Sequence, residues 1–250
     1  MLEILVIRES KKIHRVRAPQ KLQSAVVGQS SQGVPFVDEL QGEPTVRGFL
    51  HKAEAANADG LVLTHGAGAD CNSPLLTGLA EAFCGAGVTV LRCDLPFRQQ
   101  RAHGPPLGSA EKDQAGLNRS VQVLRNQISG RVFLGGHSYG GRMASLLAAK
   151  DPASADGLLL LSYPLHPPRK PDQLRTAHFS SLDTRALFVH GSRDPFGSPE
   201  EMDSALQLVP AETKLLLIEG GHELLTQSNR EGLLHRVTSQ FAHFFGRNHA

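Results

Sequence analysis

The chain has 250 residues, of which 40% are hydrophobic and 20% charged, and its formal net charge is +2. This length buries enough apolar surface for residues 1–250 to fold as one domain without disulfides or structural metal. Because Lys and Arg are scattered among Asp and Glu, no single-sign field favours nucleic acid or an anionic membrane. We therefore expect a small-molecule partner, while the oligomeric state is not set by the sequence.

The cysteines and the N-terminal apolar run bear on the cellular compartment. Cys71, Cys84 and Cys93 have neither the even count nor the CxxC spacing of a disulfide framework or a zinc site. Reduced thiols of this kind fit a cytoplasmic protein. The apolar run at 2–7 is interrupted by Glu3 and is too short for a signal sequence or a membrane span. These features predict a cytoplasmic protein that does not cross a membrane.

The first fifty residues differ in pattern from the rest of the chain. Runs at 2–7, 12–16 and 45–51 resemble strands, and no helical crossover separates them. The stretch 23–41 is rich in Gln, Ser and Gly, which predicts a loop. We assign residues 1–52 to antiparallel strands at the edge of a larger sheet.

From Gly60 onward, short apolar runs alternate with longer amphipathic stretches. The apolar runs lack polar alternation, as expected for parallel strands covered on both faces, and lie at 61–63, 88–91, 132–134, 158–161, 186–189 and 215–218. Candidate helices with three- and four-residue apolar spacing lie at 73–86, 109–128, 139–150, 198–209 and 224–245. This alternation predicts an α/β fold with a doubly wound, mostly parallel sheet and helices on both faces. The proline-rich segment 164–180 breaks the rhythm and is either a short cap or a stiff connector.

One glycine-flanked serine stands between a predicted strand and a predicted helix, in the sequence GHSYG at 136–140. A sharp strand-to-helix turn exposes the hydroxyl of Ser138, and it requires very small residues at Gly136 and Gly140. The alternative is a phosphate-binding turn, but the chain lacks the GxGxxG spacing and the P-loop lysine of such sites. We therefore predict that Ser138 is a nucleophile.

A serine nucleophile needs a histidine base and an acid that orients the histidine. His222 follows the last predicted strand, and Asp194 follows the strand before it, so both emerge at the same edge of the sheet. The alternatives are a solvated loop histidine, and a turn aspartate before Pro195 with Glu219 or Glu223 as the acid. Sequence neighbours of His222 are badly placed to orient its ring, which favours Asp194.

The oxyanion of a tetrahedral intermediate requires two main-chain donors. The N–H of Tyr139, at the start of the predicted helix, is one candidate. The second is the N–H of Ala67, in the small-residue loop THGAGAD at 64–70 after the first parallel strand. An ordinary strand-to-helix turn remains the alternative for this loop.

Several other residues near the predicted site have an open role. Arg98 and Arg101, together with His103, follow a strand end in a predicted loop, and paired guanidinium groups bind carboxylate or phosphate. A solvated basic loop is the alternative. Cys71 lies near the candidate oxyanion loop as either a reactive or an inert thiol.

With these motifs the chain resembles the α/β-hydrolase superfamily over about residues 45–246. Within it, LTHGAG at 63–68, RCDLPFR at 92–98, GGHSYGGR at 135–142 and LSYPLHP at 161–167 resemble the Tex30/KANL3-like, dienelactone-hydrolase-related branch. The resemblance implies a catalytic triad of Ser138, Asp194 and His222, used without a metal or cofactor. Dienelactone hydrolase has a cysteine nucleophile, so Ser138 departs from it and lactone specificity is not carried over.

The sequence thus predicts a serine hydrolase that cleaves a small carboxylic ester or thioester through an acyl-enzyme. Two alternatives remain open at this point. One is a non-catalytic protein of the same fold that acts in binding or as a scaffold, and an intact triad argues against it. The other is a small-peptide hydrolase or acyltransferase that uses the same three residues.

Overall fold

The computed structural model describes residues 32–54 and 58–246, and the strands predicted at 2–7 and 12–16 lie outside them. One eight-stranded sheet runs through this part of the chain. Its strands are β1 (Val34–Asp38), β2 (Val46–His51), β3 (Gly60–Thr64), β4 (Thr89–Cys93), β5 (Val132–His137), β6 (Leu158–Leu161), β7 (Ala186–Gly191) and β8 (Thr213–Ile218). Their spatial order is β1-β2-β4-β3-β5-β6-β7-β8.

Strands β3 to β8 are mutually parallel, whereas β1 and β2 extend the sheet in antiparallel pairing beyond β4. This confirms the predicted mostly parallel sheet with antiparallel N-terminal strands. The prediction of a loop at 23–41 is wrong for Val34–Asp38, which form β1. Only one face of this edge strand is partly covered, and pairing with β2 holds it in place. Its residues therefore lack the apolar density that marks a buried strand.

Helices cover both faces of the sheet, as predicted. They are α1 (Pro74–Gly85), α2 (Pro96–Gln100), α3 (Ala110–Arg125), α4 (Tyr139–Lys150), α5 (Pro199–Leu206) and α6 (Arg230–Phe245). The apolar sides of α1 and α6 pack on one face with the inner residues of β3 and β7, and the aromatic side chains of Phe83, Phe133 and Phe241 meet there. Helices α3, α4 and α5 pack on the opposite face.

Two helices depart from the sequence prediction. Arg98 lies in the short helix α2, not in a loop, because Pro96 opens a helical turn directly after β4. Helix α6 begins at Arg230 and not at 224, since Leu224 adopts a positive φ of 57° and ends helical continuity there. Within the described ranges, no helix is long and apolar enough to cross a membrane.

The sheet order reverses between β3 and β5. The chain proceeds from β3 to β4 on one side and from β5 to β8 on the other. In open α/β sheets, the crevice at the carboxyl ends of such strands is the usual ligand site. The loop 65–73 after β3 and the turn after β5 both open into this crevice.

Candidate active site

Ser138 occupies the turn between β5 and α4 with a strained backbone. Its φ is 50° and its ψ is −113°, a backbone conformation that residues other than glycine rarely adopt. A Cβ on Gly136 would lie 2.6 Å from the carbonyl carbon of Gly140, and a Cβ on Gly140 would lie 2.6 Å from the His65 oxygen. Both positions therefore require glycine, because main chain from the helix and from the neighbouring loop passes against them.

The structure brings Ser138, His222 and Asp194 into one hydrogen-bonded chain. The Oγ of Ser138 lies 2.8 Å from Nε2 of His222, and Nδ1 of His222 lies 2.8 Å and 3.0 Å from the two carboxylate oxygens of Asp194. Because a carboxylate only accepts, Nδ1 of His222 carries the proton in this contact. Nε2 is then free to accept the hydrogen of the serine hydroxyl.

Asp194 is held in this contact by its own turn after β7. Its side chain is fully buried, and Oδ1 accepts a hydrogen bond from the N–H of Phe196 at 2.9 Å. The ring of Phe196 lies 4.3 Å from that of His222, centroid to centroid. His190, which the sequence analysis did not assign to the site, donates from Nε2 to the Gly197 carbonyl and lies 3.9 Å from Oδ2 of Asp194. Burial is the first cause that lowers the pKa of His190.

The main chain of His222 is also fixed. Its carbonyl oxygen accepts from Nε2 of His137 at 2.9 Å and from Oγ of Ser162 at 2.6 Å. His137 precedes Ser138 directly, and Ser162 follows β6 with a φ of 46°. The loop that carries the base is thus tied to two neighbouring strand ends. No sequence signal identified this role, because it depends on a carbonyl that lies far along the chain.

The candidate oxyanion donors lie beside Ser138. Tyr139 is the first residue of α4, so its N–H has no acceptor within the helix. Ala67, Tyr139 and Ser138 line the same cavity. The Ala67 loop is held by His65, which donates from Nδ1 to the Gly66 carbonyl and accepts at Nε2 from the Leu95 N–H.

A family model described as "Alpha/beta hydrolase domain" matches residues 57–245. The chain belongs to the α/β-hydrolase family. Several solved structures share the fold of this α/β hydrolase. Dienelactone hydrolase from Anabaena variabilis matches with a TM-score of 0.69 and 19% identity, covering 85% of this chain and 98% of that one. An esterase from Pyrococcus furiosus has a TM-score of 0.67, 16% identity and coverage of 88% and 97%. Est1E from Butyrivibrio proteoclasticus, also solved with ferulic acid bound, has a TM-score of 0.67, 16% identity and coverage of 85% and 98%.

Arg98 of this hydrolase supports the oxyanion loop with nearly all of its donors. Nη2 donates to the Ala67 carbonyl at 2.7 Å and to Gly104 at 3.1 Å, while Nε donates to Ala69 at 2.8 Å and Nη1 to Arg101 at 3.2 Å. A guanidinium has five N–H groups, and four are taken by main-chain carbonyls. We therefore do not propose Arg98 as a group that binds substrate. Arg101 contributes its carbonyl oxygen to the contacts of Arg98.

Cys71 is a buried structural residue in this part of the chain. Its N–H donates to Asp94 at 2.8 Å, and burial with the nearby Asp94 charge raises the pKa of its thiol. A raised thiol pKa disfavours the reactive thiolate. Within residues 32–54 and 58–246, no His, Cys, Asp and Glu side chains cluster as metal ligands.

The cavity over Ser138 has a volume of about 400 Å³. Pro164 and Arg175 from the connection after β6, Phe196 from the β7 turn and Arg142 from α4 contribute to its wall. Pro164 and Arg175 belong to the predicted cap segment 164–180, so part of that segment lines the cavity. Its action as a cap stays a prediction. Sequence reasoning missed Arg142 and Arg175. Arg142 was accessible to it in principle, because it stands four residues after Ser138 and so on the same side of α4.

Proposed function

We propose that this protein is a serine hydrolase that cleaves a small carboxylic ester or thioester through an acyl-enzyme on Ser138. The observation that carries the proposal is the chain of hydrogen bonds from Ser138 Oγ to His222 Nε2 and from His222 Nδ1 to the buried Asp194. A serine hydroxyl is a weak nucleophile unless a base takes its proton in the same step. This geometry supports His222 as that base, because the contact of its Nδ1 with Asp194 leaves Nε2 to accept the proton.

In the first half of the reaction, Ser138 Oγ attacks the substrate carbonyl carbon while His222 Nε2 takes the hydroxyl proton. The oxyanion that forms accepts hydrogen bonds from the N–H groups of Tyr139 and Ala67. When the tetrahedral intermediate collapses, His222 returns the proton to the leaving alcohol or thiol. Asp194 stabilises the imidazolium that exists between these two transfers.

In the second half, water takes the place of the leaving group. His222 Nε2 accepts a proton from the water as it attacks the acyl carbon, and the same two N–H groups hold the second oxyanion. Collapse expels Ser138 Oγ, which recovers its proton from His222, and the carboxylic acid leaves. The site needs no further group for this cycle, because every proton moves between the three side chains and the substrate or water.

The binding of a small molecule is supported by the cavity, which is concave and lined by both apolar and polar side chains around the serine. The structural likeness to an esterase from Pyrococcus furiosus agrees with an ester substrate. A shared fold does not carry substrate identity, so the choice of acyl group rests on the wall of this cavity alone.

The test is covalent labelling by a fluorophosphonate probe together with turnover of p-nitrophenyl acetate. We expect stoichiometric labelling of the wild type on Ser138, and a loss of labelling with at least a ~10⁴-fold loss of turnover in Ser138→Ala. Ser145→Ala is the matched control, because it removes a hydroxyl from the same helix, and it should be labelled like the wild type. Absence of labelling in folded wild-type protein would overturn the proposal.

A further inference from the structure

Two guanidinium groups line the cavity over Ser138 without a carboxylate partner. Arg142 lies one turn beyond Ser138 on α4, and Arg175 lies in the connection between β6 and β7. In the part of the chain that the structure describes, neither Arg142 nor Arg175 forms an ion pair. The arginines that do are Arg119, Arg125, Arg131, Arg185 and Arg193. The cavity therefore carries positive charge that no described acidic side chain neutralises.

The hydrogen bonds of the two groups to described residues are few, and that of Arg142 is to the Tyr163 side chain. Nη1 of Arg175 donates to the Pro164 carbonyl at 3.2 Å. Nε of Arg142 is buried and meets no acceptor among the described residues. An unsatisfied buried donor is costly, so this guanidinium is not held in place by a complete set of protein acceptors. Arg98, by contrast, donates to four main-chain carbonyls, as expected for an arginine with a structural role.

The two positive charges act on each other and on their surroundings. Burial is the first cause that lowers the pKa of Arg175, and the charge of Arg142 lowers it further. The same charge lowers the pKa of His178, again after burial. Arg142 and Arg175 are thus close enough for mutual repulsion, which a bound anion would relieve.

The carboxylates that contact other lining residues are already engaged. Asp194 is fully buried and accepts from His222 and Phe196. Asp113 accepts from the Tyr139 hydroxyl at 2.7 Å and from the Phe97 N–H at 3.1 Å. Neither is paired with an arginine, so the positive charge beside Ser138 remains open to the substrate.

We propose that Arg142 and Arg175 form an anion subsite, and that the ester cleaved at Ser138 carries a carboxylate. This inference rests on the proposed function, since it names the substrate class of the same site. Guanidinium groups bind carboxylates through parallel, charge-assisted hydrogen bonds, and a partly enclosed cavity strengthens them relative to bulk water. The cavity of about 400 Å³ has room for a small ester with one such group.

Two pairs of esters of matched size test the proposal. Monophenyl adipate against phenyl hexanoate places the carboxylate on the acyl part, and 4-acetoxybenzoate against methyl 4-acetoxybenzoate places it on the leaving group. We expect the wild type to prefer the anionic member of at least one pair by about 10-fold to 100-fold in kcat/KM, which corresponds to one or two charge-assisted hydrogen bonds. The pair that shows the preference locates the anion subsite relative to the scissile bond.

Variants of the two arginines then identify the cause of the preference. Arg175→Gln and Arg142→Gln should each lower the ratio of anionic to neutral kcat/KM by about 10-fold, with most of the loss in KM for the anionic ester. Lys170→Gln is the matched control, because it removes an exposed positive charge from the same connection and should keep the wild-type ratio. Thermal unfolding of each variant checks that it is folded. Arg175→Gln keeps the test valid where Arg142→Gln does not fold.

The outcomes separate this inference from the proposed function. Equal kcat/KM for the anionic and neutral esters in the wild type, or a preference that survives both arginine substitutions in folded protein, overturns the anion subsite while Ser138 is still labelled. Absence of turnover for all four esters together with absence of labelling overturns the proposed function itself.

Discussion

Helix α4 and the turn before it carry two serine–histidine pairs, and only one has the features of a nucleophile. Ser138 Oγ lies 2.8 Å from Nε2 of His222, and Ser145 Oγ lies 2.9 Å from Nε2 of His178. By the serine–histidine distance alone the two pairs are equivalent. They differ in where the proton lies, in the third residue and in access from the cavity.

In the second pair the serine hydrogen is already committed. Ser145 Oγ donates to the Arg142 carbonyl at 2.9 Å, so its contact with His178 is a hydrogen bond only if Nε2 of His178 is the donor. No described carboxylate pairs with His178. Burial and then the charge of Arg142 lower its pKa to about 4. Ser145 is fully buried, so no substrate reaches it.

In the first pair each of these features is reversed. Asp194 holds the proton on Nδ1 of His222, which leaves Nε2 to accept from Ser138. Ser138 lines the cavity and stands in a strained turn, whereas Ser145 bonds back within a regular helix. A serine near a histidine is therefore insufficient evidence for a nucleophile. The acid that sets the tautomer and the path to solvent are what distinguish the two.

The largest expected difference comes from removing each histidine in turn. We expect His222→Gln to lower kcat/KM for p-nitrophenyl acetate by about 10⁴-fold or more, because Ser138 then has no base. His178→Gln should lower it less than about 10-fold, since a glutamine amide also donates to Ser145. Steady-state kinetics of the two folded variants is the measurement. Losses of similar size would show that the assignment of the base to His222 is wrong.

A second prediction makes the first pair resemble the second by removing only its acid. Asp194→Asn keeps the size of the side chain but offers an N–H to His222, which favours the tautomer with the proton on Nε2. We expect kcat to fall by about 10³-fold to 10⁴-fold, as orienting aspartates of such triads do. Asp183→Asn, at an exposed position before β7, serves as the control. A full rate in folded Asp194→Asn would remove Asp194 from the triad.

A third prediction concerns the support of the His222 main chain, whose carbonyl oxygen accepts from two side chains. Ser162→Ala removes one of the two donors to the His222 carbonyl and leaves His137 in place. We expect kcat to fall by about 10-fold with KM little changed, because a misplaced base weakens the transition state more than ground-state binding. Ser204→Ala, on the exposed side of α5, is the control. A change in KM alone would assign Ser162 to substrate binding.

Local sequence patterns predicted the first pair better than the cavity around it. Ser138, Asp194 and His222 each follow an apolar strand, and parallel strands bring their carboxyl ends to one edge, so their contact follows from chain order. Arg175 lies in a connection without periodicity, and nothing local says which way it folds. Arg98 was a candidate for substrate binding because of its chemistry, and the sequence does not reveal that its partners are carbonyls of residues 67, 69, 101 and 104, two of them about thirty positions away.

The sequence prediction missed strand β1 for a different reason. Buried strands such as β5 are marked by a continuous apolar run, whereas β1 is exposed along most of its length and is defined by pairing with β2. Edge strands owe their conformation to a neighbour, which a reading of local hydrophobicity does not include.

The smallest expected effect is on stability, and it uses the pKa of His178. This pKa is lowered from 6.5 to about 4 in the folded protein, so between these pH values the unfolded chain binds a proton at residue 178 that the folded protein does not. The contribution of His178 to stability is therefore full above pH 6.5 and is lost as the pH falls towards 4. In urea unfolding, the free energy of unfolding of His178→Gln should fall less than that of the wild type between pH 7 and pH 5. The slope of this free energy against pH should differ between the two proteins by up to about one bound proton. Buried His65, His137 and His190 also have lowered pKa values and remain in the variant, so its stability still falls with pH, only less steeply. Parallel curves for the two proteins would mean that His178 is not held neutral, and the contrast between the two serine–histidine pairs would then lose its electrostatic basis.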